Sequence, residues 1–146
     1  NGQTVLSGLN SDIDKFIETL KIKKIKNIKL PVSAPFHCKL MDKATSIMSD
    51  KINNTNFEKP KNVIISNVTG SATQEIDKIK DLLIKQIENP VRWRESVIYM
   101  IKNGVTNFIE IGPGKVLSGL VKRIDKTINV NTINKPEDLK DIKTND

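Results

Sequence analysis

The sequence is poor in cysteine, in histidine and in aromatic residues. Its one cysteine, Cys38, cannot form a disulfide within the chain, which favours a reducing compartment. No apolar run approaches the roughly 20 residues that a membrane-spanning helix needs. The opening residues are polar, without the basic segment and apolar stretch of a signal peptide. We therefore expect a cytoplasmic protein that has no membrane partner.

Arginine is also scarce, although the chain of 146 residues carries a net charge of +7. Two interpretations of this charge stay open: selection for an acidic partner, or an AT-rich genome whose codons favour lysine, isoleucine and asparagine. The basic stretch at residues 21–29 contains isoleucines where a nucleic-acid-binding module would have aromatic residues or arginines. Such a module is a remote alternative, and we expect no nucleic-acid partner.

Hydrophobic periodicity predicts short strands that alternate with helices. Strands are expected at residues 4–7, 28–32, 63–65, 108–111 and 130–133, the third of them buried on both faces. Helices are expected at about residues 11–20, 40–52, 76–87, 93–103 and 116–126. The first helix begins with Ser11 and Asp14 at the spacing of a capping box. The polar tail from residue 135 is expected to be frayed. This alternation predicts an α/β fold with a mainly parallel sheet.

In α/β folds, catalytic residues collect at the carboxyl ends of strands. Two candidates follow predicted strands: His37 after residues 28–32, and Asn67 after residues 63–65. Histidine is the usual general base near neutral pH, although a lone histidine is also common as a surface or capping residue. Cys38 is interpreted as a small buried side chain rather than a nucleophile, because neighbours on an extended segment point to opposite sides.

Other chemistries lack the residues that they need. One histidine and one cysteine do not provide a zinc site, so we expect no metal. Residues 112–115 (GPGK) resemble a phosphate loop, but Val116 stands where the Walker pattern has serine or threonine. Only weak anion binding at the following helix start is left. No serine of the chain lies in a G-x-S-x-G elbow. The residues therefore offer a base without a nucleophile.

Four ordered segments together are similar to one enzyme family. They are residues 30–38 (LPVSAPFHC), 67–68 (NV), 86–93 (QIENPVRW) and 110–117 (EIGPGKVL). In this order and spacing they resemble the malonyl-CoA:acyl-carrier-protein transacylases of bacterial fatty-acid synthesis, C-terminal half only. The resemblance runs from Gly2 and Gln3 to about Asn134. It implies the C-terminal part of an α/β-hydrolase-like acyltransferase domain in residues 32–146, preceded in residues 1–31 by the second half of a ferredoxin-like small subdomain.

The resemblance implies transfer of a malonyl group from malonyl-CoA to the phosphopantetheine thiol of acyl carrier protein, through a seryl acyl-enzyme and with no cofactor. His37 matches the catalytic base, and Gln86 matches the glutamine whose backbone carbonyl orients that imidazole. Phe36 and Asn67 match positions at the substrate pocket. Basic residues are expected to dock the acidic carrier protein; the best candidates are Lys115, Lys122 and Arg123.

The chain departs from the family in its missing parts. The G-Q-G motif, the serine elbow and the arginine that pairs with the malonyl carboxylate belong to the first half of the family sequence, and none is present here. The chain is therefore interpreted as a truncated or proteolytic fragment, or as one half of a split gene. We expect it to be inactive alone; the alternatives left open are a catalytically inert fragment and a split-gene half that needs a complementing N-terminal piece.

Overall fold

The computed structural model describes residues 4–141, in two compact units that meet in sequence between Arg92 and Trp93. Gly2 and Gln3, where the resemblance begins, and residues 142–146 of the tail lie outside the described residues. The expected boundary at residue 31 between two subdomains stays a prediction.

The first unit contains three helices and a hairpin. The helices are α1 (Asn10–Ile22), α2 (Asp42–Asn54) and α3 (Ile76–Gln86), and a short 3-10 helix, Lys39–Met41, leads into α2. Strands β1 (Ile64–Ser66) and β2 (Ser71–Thr73) pair in antiparallel fashion, with Ile65 opposite Ala72. α3 buries Ile79 and Leu82 on one face.

Lys80 of α3 joins this helix to the end of α2. Its ammonium donates to the carbonyl oxygens of Asn53 at 3.1 Å and Thr55 at 2.9 Å. The same ammonium lies 5.1 Å from the centre of the Phe57 ring. A cation at the C-terminus of a helix is favoured because the last carbonyls have no partner within the helix. Lys80 therefore stabilises the packing of α2 on α3.

The second unit packs a parallel strand pair against two helices. It runs through α4 (Trp93–Lys102), β3 (Asn107–Ile111), α5 (Val116–Ile124) and β4 (Asn129–Ile133), and ends in a 3-10 helix, Pro136–Asp141. β3 and β4 pair in register from Asn107 opposite Asn129 to Ile111 opposite Ile133. Val97, Val121 and Ile128 form the buried core. The residues of this core and its flanking elements all lie within a segment of about 50 residues, as in a βαβ unit.

Most of the predicted elements are confirmed. The helices from α1 to α5 lie within two residues of the predicted boundaries at most ends, and β3 and β4 are extended by one residue each. α4 ends before Gly104, whose φ of 88° gives the left-handed cap that its sequence predicts. The α/β class with a parallel strand pair is confirmed as well.

The prediction of two N-terminal strands is wrong. Residues 4–7 and 28–32 form neither helix nor strand. A strand exists only when a neighbour accepts and donates its backbone hydrogen bonds, and no segment of residues 4–141 pairs with either one. The capping box is also wrong. The helix starts at Asn10 because the carbonyl of Leu9 accepts the N–H groups of Asp12 and Ile13, both at 3.0 Å.

Two further predictions are corrected. The strand at residues 63–65 is not buried on both faces, since Val63 is 56% exposed and Ile64 is 42% exposed. It belongs to an antiparallel hairpin, which can leave one face open. The tail is not frayed as far as Asp141. The carboxylate of Asp138 accepts the N–H groups of Asn134 at 2.9 Å and Lys135 at 3.2 Å, which caps the last 3-10 helix. Within residues 4–141, every helix is too short or too polar to cross a membrane.

The core of the second unit generates a stability prediction. Val97 is fully buried, at 0% exposure, whereas Val116 at the start of α5 is 72% exposed. Val97→Ala is expected to lower the free energy of unfolding by about 2 kcal/mol, because it removes buried methyl groups and leaves a cavity. Val116→Ala removes the same atoms from a solvated site and is expected to change stability little. Urea unfolding followed by circular dichroism measures both, and equal losses would contradict this core.

Candidate active site

The candidate site is formed by a turn that precedes α2 and by the C-terminal end of α3. The turn contains Phe36 and His37, and His37 adopts a left-handed backbone conformation with φ of 62°. Such a conformation costs a residue other than glycine about 1–3 kcal/mol and persists only where neighbouring contacts hold it. His37 therefore does not follow a strand as the sequence predicts. It lies in a strained turn.

His37 donates two hydrogen bonds to the last carbonyls of α3. Its ring Nδ1 lies 2.8 Å from the carbonyl oxygen of Gln86. Its backbone N–H donates to the carbonyl oxygen of Ile87 at 3.2 Å. The final carbonyls of a helix have no partner in the helix itself, so a donor from elsewhere in the chain is needed to satisfy them. His37 provides both donors and fixes its own ring against α3.

These contacts decide the tautomer of the imidazole. A carbonyl oxygen can only accept, so the Nδ1 atom must carry the proton. The amide nitrogen of Gln86 lies 3.4 Å from the same Nδ1, but two donors cannot bond to each other, and we assign no hydrogen bond there. The other ring nitrogen, Nε2, is left unprotonated in the neutral ring. Since the His37 side chain is exposed, this nitrogen can accept a proton from an incoming group.

The side chain of Gln86 is held in place separately from its carbonyl. Its Nε2 donates to the carbonyl oxygen of Asn89 at 3.0 Å. Its Oε1 is buried and has no hydrogen-bond partner among residues 4–141. Exchanging the two amide atoms would bring two oxygens together at Asn89, which favours the orientation given. The side chain thus braces the end of α3, whereas the backbone carbonyl contacts the imidazole.

Cys38 and Phe36 flank the histidine differently. The thiol of Cys38 is half-buried and donates to the carbonyl oxygen of Pro35 at 3.1 Å, within its own turn. It therefore has a partner other than His37, although the turn is not the extended segment from which this separation was expected. Phe36 is 51% exposed, so its ring is available to a ligand or to a further polypeptide.

Asn67 lies in the turn of the β1–β2 hairpin and is half-buried. Its carbonyl oxygen accepts the backbone N–H of Arg92 at 2.8 Å, which ties the hairpin to the segment after α3. The structure thus brings His37 and Gln86 into contact. It records no hydrogen bond, among the residues that it describes, from Asn67 to either of them.

Sequence reasoning missed the role of Glu110 at the start of α5. The Glu110 carboxylate accepts the N–H groups of Leu117 at 3.0 Å and Ser118 at 2.7 Å. The N–H of Gly114 in the preceding loop donates to the side-chain oxygen of Asn134 at 2.6 Å. The expected weak anion site at this helix start is therefore occupied by a carboxylate of the chain itself. The signal was an acidic residue at the end of a strand that leads into a glycine loop.

The same contacts lower the pKa of Glu110 from its ordinary 4.5. The Ser118 hydroxyl is the largest cause, followed among the stabilising interactions by the backbone N–H groups of Ser118, Leu117 and Val116, while desolvation opposes them. The Ser118 hydroxyl falls outside hydrogen-bond geometry in the structure. The contacts to the Glu110 carboxylate that meet hydrogen-bond geometry are those from the N–H groups of Leu117 and Ser118. Among the described residues, no cluster of histidine, cysteine and acidic side chains could hold a metal.

Comparison with known proteins gives a consistent picture. No protein-family model matches the chain. The malonyl CoA-acyl carrier protein transacylase of Escherichia coli K12 is 37% identical over 136 residues, which are 92% of this chain and 44% of the relative. The crystal structure of an acyl carrier protein S-malonyltransferase from Vibrio cholerae has a TM-score of 0.86 at 39% identity, over 93% of this chain and 45% of its own.

A malonyl-transacylase solved in complex with its type II PKS acyl-carrier protein is also similar. Its TM-score is 0.84 at 33% identity, over 91% of this chain and 43% of its own. The chain is similar to the malonyl-CoA:acyl-carrier-protein transacylases. It spans slightly less than half the length of these transacylases, and its α/β fold with a parallel strand pair matches part of their fold.

The carboxylate at the start of α5 generates a pH prediction. Because the folded state lowers the pKa of Glu110, this group contributes stability that is present above its unfolded pKa of about 4.5 and is lost as the pH falls through the folded value. Glu110→Gln is expected to be less stable than the original chain at pH 7, and the difference is expected to shrink below pH 4. Urea midpoints from pH 7 to pH 3 measure it. Glu137→Gln, in the last 3-10 helix, is the control. A difference independent of pH would contradict the assignment.

Proposed function

We propose that this chain supplies the general base of a malonyl-CoA:acyl-carrier-protein transacylase. In the complete enzyme, a serine from polypeptide outside this sequence takes the malonyl group from malonyl-CoA. The phosphopantetheine thiol of acyl carrier protein then removes it, in the cytoplasm and as a step of fatty-acid synthesis. The observation that carries the proposal is the 2.8 Å contact between Nδ1 of His37 and the carbonyl oxygen of Gln86, since it leaves Nε2 as the base.

The proposed proton transfers follow from that tautomer. Nε2 of His37 takes the proton of the serine hydroxyl as the serine oxygen attacks the thioester, and it returns this proton to the departing CoA sulfur. In the second half-reaction, Nε2 takes the proton of the carrier thiol and gives it back to the serine oxygen. The ring is positively charged between these steps. The C-terminal end of α3, with its partial negative charge, stabilises that charge in place of an acidic residue.

The neighbouring residues take supporting roles in this proposal. Phe36 is exposed beside His37 and is proposed to limit the size of the acyl group. Asn67 is proposed to line the substrate pocket from the β1–β2 turn. Docking of the acidic carrier protein by Lys115, Lys122 and Arg123 stays a prediction; Lys122 and Arg123 lie in the last turn of α5. The proposed subdomain boundary at residue 31 belongs to the same assignment.

The serine is proposed to lie in polypeptide outside this sequence, and exposed apolar residues of the second unit suit contact with that polypeptide. On β3, Ile109 is 47% exposed and Ile111 is 78% exposed. On β4, the residue opposite Ile109 is the exposed Asn131, and the residue opposite Ile111 is Ile133, which is buried. A parallel pair of strands is normally part of a larger sheet covered on both faces. We propose that β3 borders the complementing polypeptide, whereas β4 forms the edge of the complete sheet.

The first prediction of this proposal concerns the base. In the complete enzyme, His37→Ala is expected to lower malonyl transfer roughly 10³-fold, because both half-reactions lose their proton acceptor. Cys38→Ala is expected to keep most of the activity, since the thiol bonds within its own turn. Gln86→Ala is expected to lose much less than His37→Ala, because the backbone carbonyl remains. Radiolabelled transfer to carrier protein measures all three. Equal losses at His37 and Cys38 would refute the assignment.

The second prediction concerns the complementing polypeptide. The 146-residue chain alone is expected to show no malonyl transfer, because it lacks the nucleophile and the oxyanion-stabilising donors that belong to the rest of the enzyme. Addition of the N-terminal half of a relative is expected to restore transfer. Ile111→Asp is expected to prevent this complementation by placing a charge in an apolar interface.

Asn131→Asp on β4 is the matched control and is expected to complement normally. Co-purification and the transfer assay together separate loss of association from loss of chemistry. Transfer by the isolated chain, verified by mass, would rule out the need for a partner. Complementation by the Ile111 variant would mean that β3 does not border the partner.

A further inference from the structure

The peptide unit between Phe36 and His37 is clamped at both of its ends. Its carbonyl oxygen accepts the hydroxyl of Ser7 at 2.5 Å, from a segment 29 residues earlier in the chain. Its N–H donates to the carbonyl oxygen of Ile87 at 3.2 Å, at the end of α3. The plane of a peptide is rigid, so two opposed hydrogen bonds fix its rotation. This peptide precedes the only histidine of the chain.

The clamp acts on the residue whose conformation most needs support. His37 has a φ of 62°, which lies in a region that residues other than glycine rarely adopt. Rotation of the preceding peptide would carry φ of His37 back towards the extended region, and it would break the bonds to Ser7 and Ile87 together. The hydrogen bond of Nδ1 to Gln86 is short and depends on the position of the same residue. The bond from Ser7 therefore opposes relaxation of the turn.

We infer that Ser7 is a positioning residue for His37. Its hydroxyl holds the Phe36–His37 peptide so that the imidazole stays in the Nδ1–H tautomer, with Nε2 free as the base. Ser7 touches no reacting atom, and its effect passes through the backbone of the turn. The inference deepens the proposed function, on which its catalytic consequence rests. The positioning of the imidazole by Ser7 concerns this chain alone, and it can be tested without an activity assay.

The geometric test uses the only imidazole of the chain. In the ¹⁵N-labelled 146-residue chain, above the pH at which the ring is charged, Nδ1 is expected to give the signal of a protonated nitrogen and Nε2 that of an unprotonated one. Ser7→Ala is expected to move both signals towards each other, as the ring exchanges between tautomers. Ser7→Thr keeps the hydroxyl and is expected to restore the original signals.

Ser46→Ala is the matched control. It also removes a bond from an exposed serine hydroxyl to a backbone carbonyl, here 3.1 Å to Asp42 within α2, and is expected to leave the imidazole signals unchanged. Unchanged signals in Ser7→Ala would overturn the inference. Loss of the whole fold in Ser7→Ala, seen by circular dichroism, would overturn it too, because the hydroxyl would then support the entire unit rather than the turn.

The catalytic arm uses the complete enzyme. Ser7→Ala is expected to lower kcat by roughly tenfold with little change in the KM for malonyl-CoA, because a misplaced base slows proton transfer without weakening substrate binding. Ser7→Thr is expected to restore kcat. A tautomer shift without any change in kcat would mean that Ser7 positions the ring but that the ring is not the base, which refutes the proposed function and leaves the geometric inference standing. An effect on KM alone would overturn the positioning role.

Discussion

The arrangement around His37 depends on the unsatisfied carbonyls at the end of α3. Gln86 is the last residue of this helix, and its carbonyl and that of Ile87 have no donor within the helix. The imidazole and the backbone N–H of His37 fill both positions, at 2.8 and 3.2 Å. One constraint thus sets the tautomer, the ring orientation and the strained φ of the turn. It also gives the ring a partner of negative partial charge without any acidic residue.

The same principle recurs at other helix ends of the chain. Lys80 donates to the final carbonyls of α2, and the Glu110 carboxylate accepts the first N–H groups of α5. In each case a group from another element satisfies backbone atoms that the helix cannot satisfy itself, with the sign of charge that the helix dipole favours. For Glu110 this has a functional consequence. The loop at residues 112–115 resembles a phosphate-binding loop in sequence, yet its helix start already holds a carboxylate.

Several apolar side chains of the chain are left exposed to solvent. Ile111 on β3 and Ile28 in the N-terminal segment are 78% and 75% exposed, in positions where the sequence pattern expects strands or buried faces. The chain covers 44% of the length of the Escherichia coli relative. Exposed apolar side chains of this kind are the observation behind the proposal that further polypeptide borders β3 in the complete protein.

The sequence by itself determined the helices and the parallel pair β3–β4, and it predicted the residues of the candidate site. These follow from local periodicity, from Gly104 at a helix end and from motifs whose spacing resembles one family. The tertiary structure alone decided which segments become strands, since residues 28–32 have apolar character but no partner among residues 4–141. It also decided the backbone of His37. A left-handed turn, its clamp by Ser7 and the capping of α5 by Glu110 depend on atoms distant in sequence, which no local pattern specifies.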